Sequence, residues 1–259
     1  MQSRERRTFV QEWIFKPLLT AAMVVVVGGS VMAMLSPNTL VQLRDVFSRL
    51  REPGPHREPD RALSPSLLAE LSAGGFTLFV RHASRDPAPS LDAIDRAWIL
   101  DPASVPADFR QGFCLNELGR IESRLLGQFI RESRIPIGEV LSSPLCRARE
   151  TAELSVGRVD RLDFALVHAK VPAPGLERSV QREGIRSLMK QPPAPGTNRI
   201  LFGHWDTMDK RDFGEVKLEQ AGMAIFQHSG SGLKLRATVD LIDLMHALPS
   251  PRLQQRRWN

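Results

Sequence analysis

Three short strand-like runs, set between amphipathic stretches, leave this chain few architectures. Phe76-Thr77-Leu78-Phe79-Val80, Glu139-Val140-Leu141-Ser142 and Arg199-Ile200-Leu201-Phe202 have apolar centres and strand length. Such runs are too short for core helices, and their lack of strict alternation fits strands buried on both faces. Between the first two, Leu118, Ile121, Leu125 and Phe129 recur on one face of a helix that ends near Ser133, and residues 145–154 read as a second helix. A short helix over 66–72, closed by Gly74-Gly75, precedes the first run, and residues 221–227 and 233–241 form a closing strand pair around Gly230-Ser231-Gly232. Strand and helix in alternation predict a three-layer α/β/α sandwich with a mostly parallel sheet.

Charge narrows the choice of partner. Lys and Arg number 35 against 29 Asp and Glu, a net charge of +6, which suits an anionic ligand. The arginines are scattered from end to end rather than gathered in a stripe, so no nucleic-acid partner is expected. Two cysteines, Cys114 and Cys146, are too few for a disulfide scaffold or a cysteine-built zinc site; one bridge between them stays open if the compartment is oxidising.

The N-terminal part carries an address. Residues 18–35 are apolar except for Thr20, Gly28, Gly29 and Ser30, just enough to cross a bilayer. Arg4, Arg6, Arg7 and Lys16 precede the run, while Arg44, Arg49 and Arg51 follow it closely. The bias keeps residues 1–17 in the cytoplasm as a basic leader and sends the rest across. The expectation is a single-pass inner-membrane anchor with a periplasmic domain; a signal peptide, cleaved near Val31-Met32-Ala33 to release the protein to the periplasm, is the rival. Residues 36–65, with Pro37, Pro53, Pro55, Pro59 and Pro65 among charges, read as a tether. The folded domain is expected over 66–247, and 248–259 as a basic tail.

In parallel α/β sheets, ligands sit beyond the carboxyl ends of the strands. Here the first run leads into Arg81-His82-Ala83-Ser84-Arg85, the second into Ser142-Ser143-Pro144-Leu145-Cys146-Arg147, and the third into Gly203-His204. Guanidinium forks grip phosphoryl oxygens bidentately and a neutral imidazole can attack phosphorus. Each piece alone is as easily a capping or surface feature; their joint occurrence at three strand ends points to a phosphoryl site.

Phe79-Val80-Arg81-His82-Ala83, the segment from Leu141 to Ala152, and Leu201-Phe202-Gly203-His204 resemble the three signature blocks of the histidine phosphatase superfamily, whose fold is phosphoglycerate mutase-like. Ala83 departs from the glycine most members carry there. The similarity spans residues 71–239, and Leu118-Gly119 fits the family's helix between the first two blocks. A narrower likeness, carried by the N-terminal apolar segment, Arg85 and Asp209-Lys210-Arg211-Asp212, is to periplasmic phosphatases of lipopolysaccharide core heptose phosphate. The resemblance implies a phosphatase whose nucleophile is His82, with Arg81, Arg147 and His204 around the phosphoryl oxygens and no metal or other cofactor. Arg85, Ser143 and Trp205 would touch substrate, a phosphorylated small molecule or glycolipid.

The acid that protonates the leaving group is less well marked. Glu177 is favoured, because Val180, Ile185 and Leu188 place a helix start there; Asp206, Glu183 and Asp86 are the alternatives. Other readings of the same residues are a phosphatase of protein phosphohistidine or of small soluble phosphates, and a non-catalytic anchored phosphate-binding module. His168, His228 and His246 have no partners at metal-ligand spacing and read as structural or surface residues.

Overall fold

The structure, a computed structural model, describes residues 63–87, 91–101, 113–168, 177–230 and 232–248. The expected leader 1–17, apolar segment 18–35, nearly all of the 36–65 stretch and all but the first residue of the 248–259 tail lie outside the described residues. No helix among the described residues is long and apolar enough to cross a membrane.

Leu63 is buried in the core, so the packed chain starts slightly before the expected boundary at 66. Ser64 accepts a hydrogen bond from the Leu67 N–H and Pro65 opens helix α1 (Pro65–Ala73), which ends at Gly74 with φ 87°. Then come β1 (Phe76–Arg81), α2 (Leu91–Leu100), α3 (Glu117–Glu132), β2 (Ile137–Ser142), α4 (Cys146–Val156), β3 (Arg161–Leu162) and a 3₁₀ turn (Phe164–Leu166). The rest is α5 (Arg178–Lys190), β4 (Asn198–Gly203), α6 (Lys210–Phe213), β5 (Met223–Ser229), β6 (Gly232–Val239) and α7 (Leu241–His246).

The strands form one six-stranded sheet in the order β3-β2-β4-β1-β5-β6. β3, β2, β4 and β1 run parallel, and β5 is antiparallel to both β1 and β6. Alternate strand residues feed opposite faces. Leu78, Val80, Val140, Ile200 and Phe202 pack with residues of α1, α3, α4 and α7. Phe79, Leu141, Leu201, Ala224 and Phe226 pack with the 3₁₀ turn, α5 and Phe213 of α6. Three layers result, as the alternating pattern predicts.

Two local shifts have clear causes. The buried face of α3 is Leu118, Glu122, Leu126, Phe129 and Ile130, while Ile121 and Leu125 are half-buried. The helix is turned toward α4 because Gly127 lets the two backbones meet; a Cβ there would stand 2.3 Å from the Ser155 carbonyl oxygen. The closing strand stops at Val239 rather than 241, since Asp240 begins α7 and its N–H donates to Asp243 Oδ2 at 3.0 Å.

Candidate active site

The strands β2, β4 and β1 are parallel neighbours, so the three motif blocks emerge together at their carboxyl ends. They are also stitched together: the His82 N–H donates to the Gly203 carbonyl at 3.0 Å and the Ser143 N–H to the Phe202 carbonyl at 2.9 Å. The turn after β1 is pinned from the helix layer. The Ala83 N–H donates to Thr151 Oγ1 of α4 at 3.0 Å, and the Ser84 N–H to Glu122 Oε2 of α3 at 2.7 Å. Gly119 makes this approach possible, because a Cβ there would lie 2.0 Å from the Ser84 carbonyl oxygen.

His82 is buried, and its Nδ1 lies 2.8 Å from the Ala83 carbonyl oxygen. A carbonyl only accepts, so Nδ1 carries the proton and the lone pair is on Nε2. Burial, then the charges of Arg147, Arg81 and Arg85, hold the imidazole well below the ordinary histidine range against the opposing Ala83 hydrogen bond. His204 stands beside it, ring centroids 5.1 Å apart. Its titration is likewise driven well down, by burial first and Arg147 next. Its Nε2 is 3.2 Å from Ser143 Oγ. Two neutral imidazoles therefore stand side by side within reach of the charges of two guanidinium groups.

Arg147, in the first turn of α4, is fully buried. Its two terminal nitrogens donate to the two oxygens of Asp95 at 2.8 Å each. Asp95 itself is completely buried on α2 and also accepts from His168 Nε2 at 2.7 Å. Burial would raise its titration, but the hydrogen bonds of Arg147 and His168 hold the carboxyl below the usual range. The edge of His168 meets the His204 ring, centroids 5.3 Å apart. Two of its five N–H groups are thereby used, and among the three that remain for an anion is Nε–H. That atom and Arg81 Nε are both buried with no hydrogen-bond partner among the described residues. Arg81 is held by a terminal nitrogen that donates to the Leu218 carbonyl at 2.7 Å.

The acid candidates separate by position. Asp206 is turned inward by a His204–Thr207 turn, in which the Thr207 N–H donates to the His204 carbonyl at 3.1 Å. Both its oxygens are buried without a hydrogen-bond partner, and Oδ2 lies 4.0 Å from His168 Nδ1. Asp206 lines a cleft of about 960 Å³ together with Arg81 and Trp205. Glu177 is exposed at the start of α5 and makes no capping bond with its side chain. Glu183 is exposed and pairs with Arg186 at 3.4 Å. Asp86 is exposed and accepts from Asn116 Nδ2 at 2.9 Å. Arg85 sits half-buried and donates to the Asp86 carbonyl at 2.8 Å. Trp205 stands at the cleft mouth, 55% exposed.

Residues 102–166 match the histidine phosphatase superfamily, branch 1. The matched stretch contains Arg147, and the structure brings His82 and His204 to it from the strands on either side in sequence. No curated protein matches the chain. Among solved structures the chain is similar to the protein histidine phosphatase SixA complexed with tungstate, at 15% identity over 65% of this chain and 99% of that one, TM-score 0.45. It is also similar to a phosphoserine phosphatase from Entamoeba histolytica, at 14% identity over 67% and 99% of the two chains, TM-score 0.42. An open reading frame product of Mycobacterium tuberculosis, Rv3214, aligns at 16% identity over 63% and 97%, TM-score 0.42.

Two residues of the site escape sequence reading. Asp95 lies in a helix with no motif around it, and His168, read as structural, reaches the site from the chain that follows the 3₁₀ turn. Only tertiary contact marks them. Their only mark in the sequence is a lone carboxylate and a lone histidine, which any chain of this size carries. Cys114 and Cys146 are joined in a disulfide, which occupies both sulfurs of the one metal-capable cluster, Cys114, Cys146 and Glu150, found among the described residues.

Proposed function

We propose that the chain is a phosphomonoesterase acting through a phosphohistidine on His82, anchored in the inner membrane by residues 18–35, with its domain in the periplasm and an envelope phosphate such as lipopolysaccharide core heptose phosphate as substrate. The observation that carries the catalytic reading is the His82 environment: a neutral imidazole with its Nε2 lone pair unblocked, beside His204 and the unpartnered Nε–H groups of Arg81 and Arg147. Buried donors without acceptors are uncommon in native structures, and a phosphoryl oxygen is the acceptor this set suits.

In the first step Nε2 of His82 forms a bond to phosphorus while the ester P–O bond breaks. The leaving oxygen takes the proton of the Asp206 carboxyl and departs as an alcohol. In the second step water attacks phosphorus and gives its proton to the Asp206 carboxylate. The N–P bond breaks, inorganic phosphate leaves, and His82 returns neutral. Asp206 takes this role in preference to Glu177, because it is inward-facing and lines the same cleft as Arg81. Arg81, Arg147 and His204 supply fixed dipoles and charge for the equatorial oxygens, which needs little rearrangement in a closed site.

The envelope assignment rests on other support. The basic leader and apolar run favour export, and a buried disulfide suits an oxidising compartment. The test is phosphate release by the full-length protein in detergent from p-nitrophenyl phosphate, phosphorylated lipopolysaccharide and a phosphohistidine peptide. Turnover that His82→Ala abolishes and Asp206→Asn lowers at least about a hundredfold, in line with general acid catalysis, is the expected result. The order of the three substrates ranks envelope phosphates against the alternatives. Phosphate binding without any turnover would leave a non-catalytic binding module.

A further inference from the structure

The cleft beside Arg81 has a volume of about 960 Å³, near the top of the ~300–1,000 Å³ of small-molecule sites. A single phosphoryl group held by Arg81 leaves most of it for the rest of the substrate. One wall is the start of α5, from which Arg178, Ser179, Gln181 and Arg182 line the cleft. This helix runs 13 residues, and the side chain of its N-cap, Glu177, makes no capping bond. The N–H groups of Val180 and Gln181 return to the Glu177 carbonyl. Those of Arg178 and Ser179 have no such partner among the described residues, as expected of a first turn. They carry the positive end of the helix dipole toward the cleft.

A separate observation lies one turn on. Gln181 is buried, only 5% exposed, and neither Oε1 nor Nε2 has a hydrogen-bond partner. A buried amide left unpaired is costly and marks a group that lacks its complement. The charge around it is biased. Six Lys and Arg side chains line the cleft against four Asp and Glu. Arg182 and Arg211 are engaged by Asp209, and Lys217 by Glu215. Arg178 and Lys210 form no ion pair among the described residues, and Arg178 is the first residue of α5.

We propose that this end of the cleft, built from the first turn of α5, Arg178 and Gln181, binds a second anionic group of the substrate, which makes the substrate class a phosphomonoester with a further phosphate or carboxylate on its leaving-group side. The proposal rests on the phosphatase reading for the place of the first phosphoryl group. The Gln181 amide donates to the second anion and Arg178 supplies its counter-charge.

Binding and turnover are measured separately. Full-length protein carrying His82→Ala is titrated calorimetrically with glucose 1-phosphate, glucose 1,6-bisphosphate and glucuronic acid 1-phosphate. The expected result is at least about tenfold tighter binding of a sugar with the second anion, the size of a 1.4 kcal/mol contribution. Preference for the bisphosphate alone identifies a phosphate, for the glucuronic acid ester alone a carboxylate, and for both an anion of either kind. Adding Arg178→Gln and Gln181→Leu should bring the ratio below about threefold. Arg178 is exposed, so Arg178→Gln alone keeps the test should the Gln181 change impair folding. Equal binding of the three sugars, or a preference that survives Arg178→Gln, overturns the proposal. A preference without phosphate release by the wild type overturns the phosphatase reading and leaves the subsite standing, whereas release without a preference does the reverse.

Discussion

Glu122 shows how one residue ties the catalytic turn to pH. It lies buried under the turn after β1 and accepts the Ser84 N–H. Burial pushes its carboxyl up to about 7, against the pull of that hydrogen bond and of Arg81. Its folded value thus exceeds the unfolded one. Between about pH 4.5 and 7 the native state keeps a proton that the unfolded chain releases, so the contribution is present in acid and is lost as pH rises toward 7. Glu122→Gln keeps the shape and an oxygen for the Ser84 N–H. Its melting temperature should match the wild type near pH 5 and exceed it by several degrees at pH 8. A variant less stable at pH 8 would mean that attraction to Arg81 outweighs burial. At this scale the sequence is readable only where chemistry sits beside regular structure. Arg81, His82 and His204 are legible because the first ends a buried strand and the other two directly follow one. Asp206 stands in the sequence only among the alternatives, because the turn that brings it inward is not written in spacing.

Among elements, α2 is the one that hydrophobic periodicity did not reveal and the site most depends on. Its Trp98 Nε1–H donates to the Pro144 carbonyl at 3.0 Å, and its ring meets Phe113 with centroids 5.1 Å apart. These contacts seat Asp95 over Arg147 at the start of α4 and beside His168. Five of the six strands and α3 to α5 are visible because their apolar residues recur at their own period; β3 has only two residues, both exposed, and α2 is short and follows Pro87 and Pro89. Asp95 acts as a positioning residue that fixes Arg147 so that Nε–H faces outward from the pair. Asp95→Asn leaves one acceptor for Arg147 and turns an amide toward it or toward His168. The expected outcome on p-nitrophenyl phosphate is a fall in kcat of at least about tenfold with a smaller change in KM, and a stability loss of about 1–3 kcal/mol. The kcat/KM split separates this from simple unfolding. A rise in activity would show instead that Asp95 competes with phosphate for Arg147.

For the whole molecule, the disulfide joins the question of stability to that of compartment. Cys146 opens α4 one residue before Arg147, and Cys114 precedes α3; both lie in a buried cluster with Trp98, Phe113, Leu145 and Val167. The bond spans a sequence separation of 32. Closing a loop of that length in the unfolded chain stabilises the fold by roughly 3–4 kcal/mol in the chain-entropy account. For a domain of this size that corresponds to a melting temperature higher by about 10 °C. The same bond forms readily only where thiols are oxidised, and residues 1–35 are the part of the sequence that would deliver the domain there. Trapping thiols with an alkylating reagent in intact cells should therefore find Cys114 and Cys146 oxidised in the full-length protein and reduced when residues 1–35 are deleted. The deleted form should melt lower by about the amount seen for the Cys114→Ser, Cys146→Ser double variant, and recover on oxidation. Reduced thiols in the full-length protein would place the domain on the cytoplasmic side, and the substrate would then have to be sought among soluble phosphates rather than in the envelope.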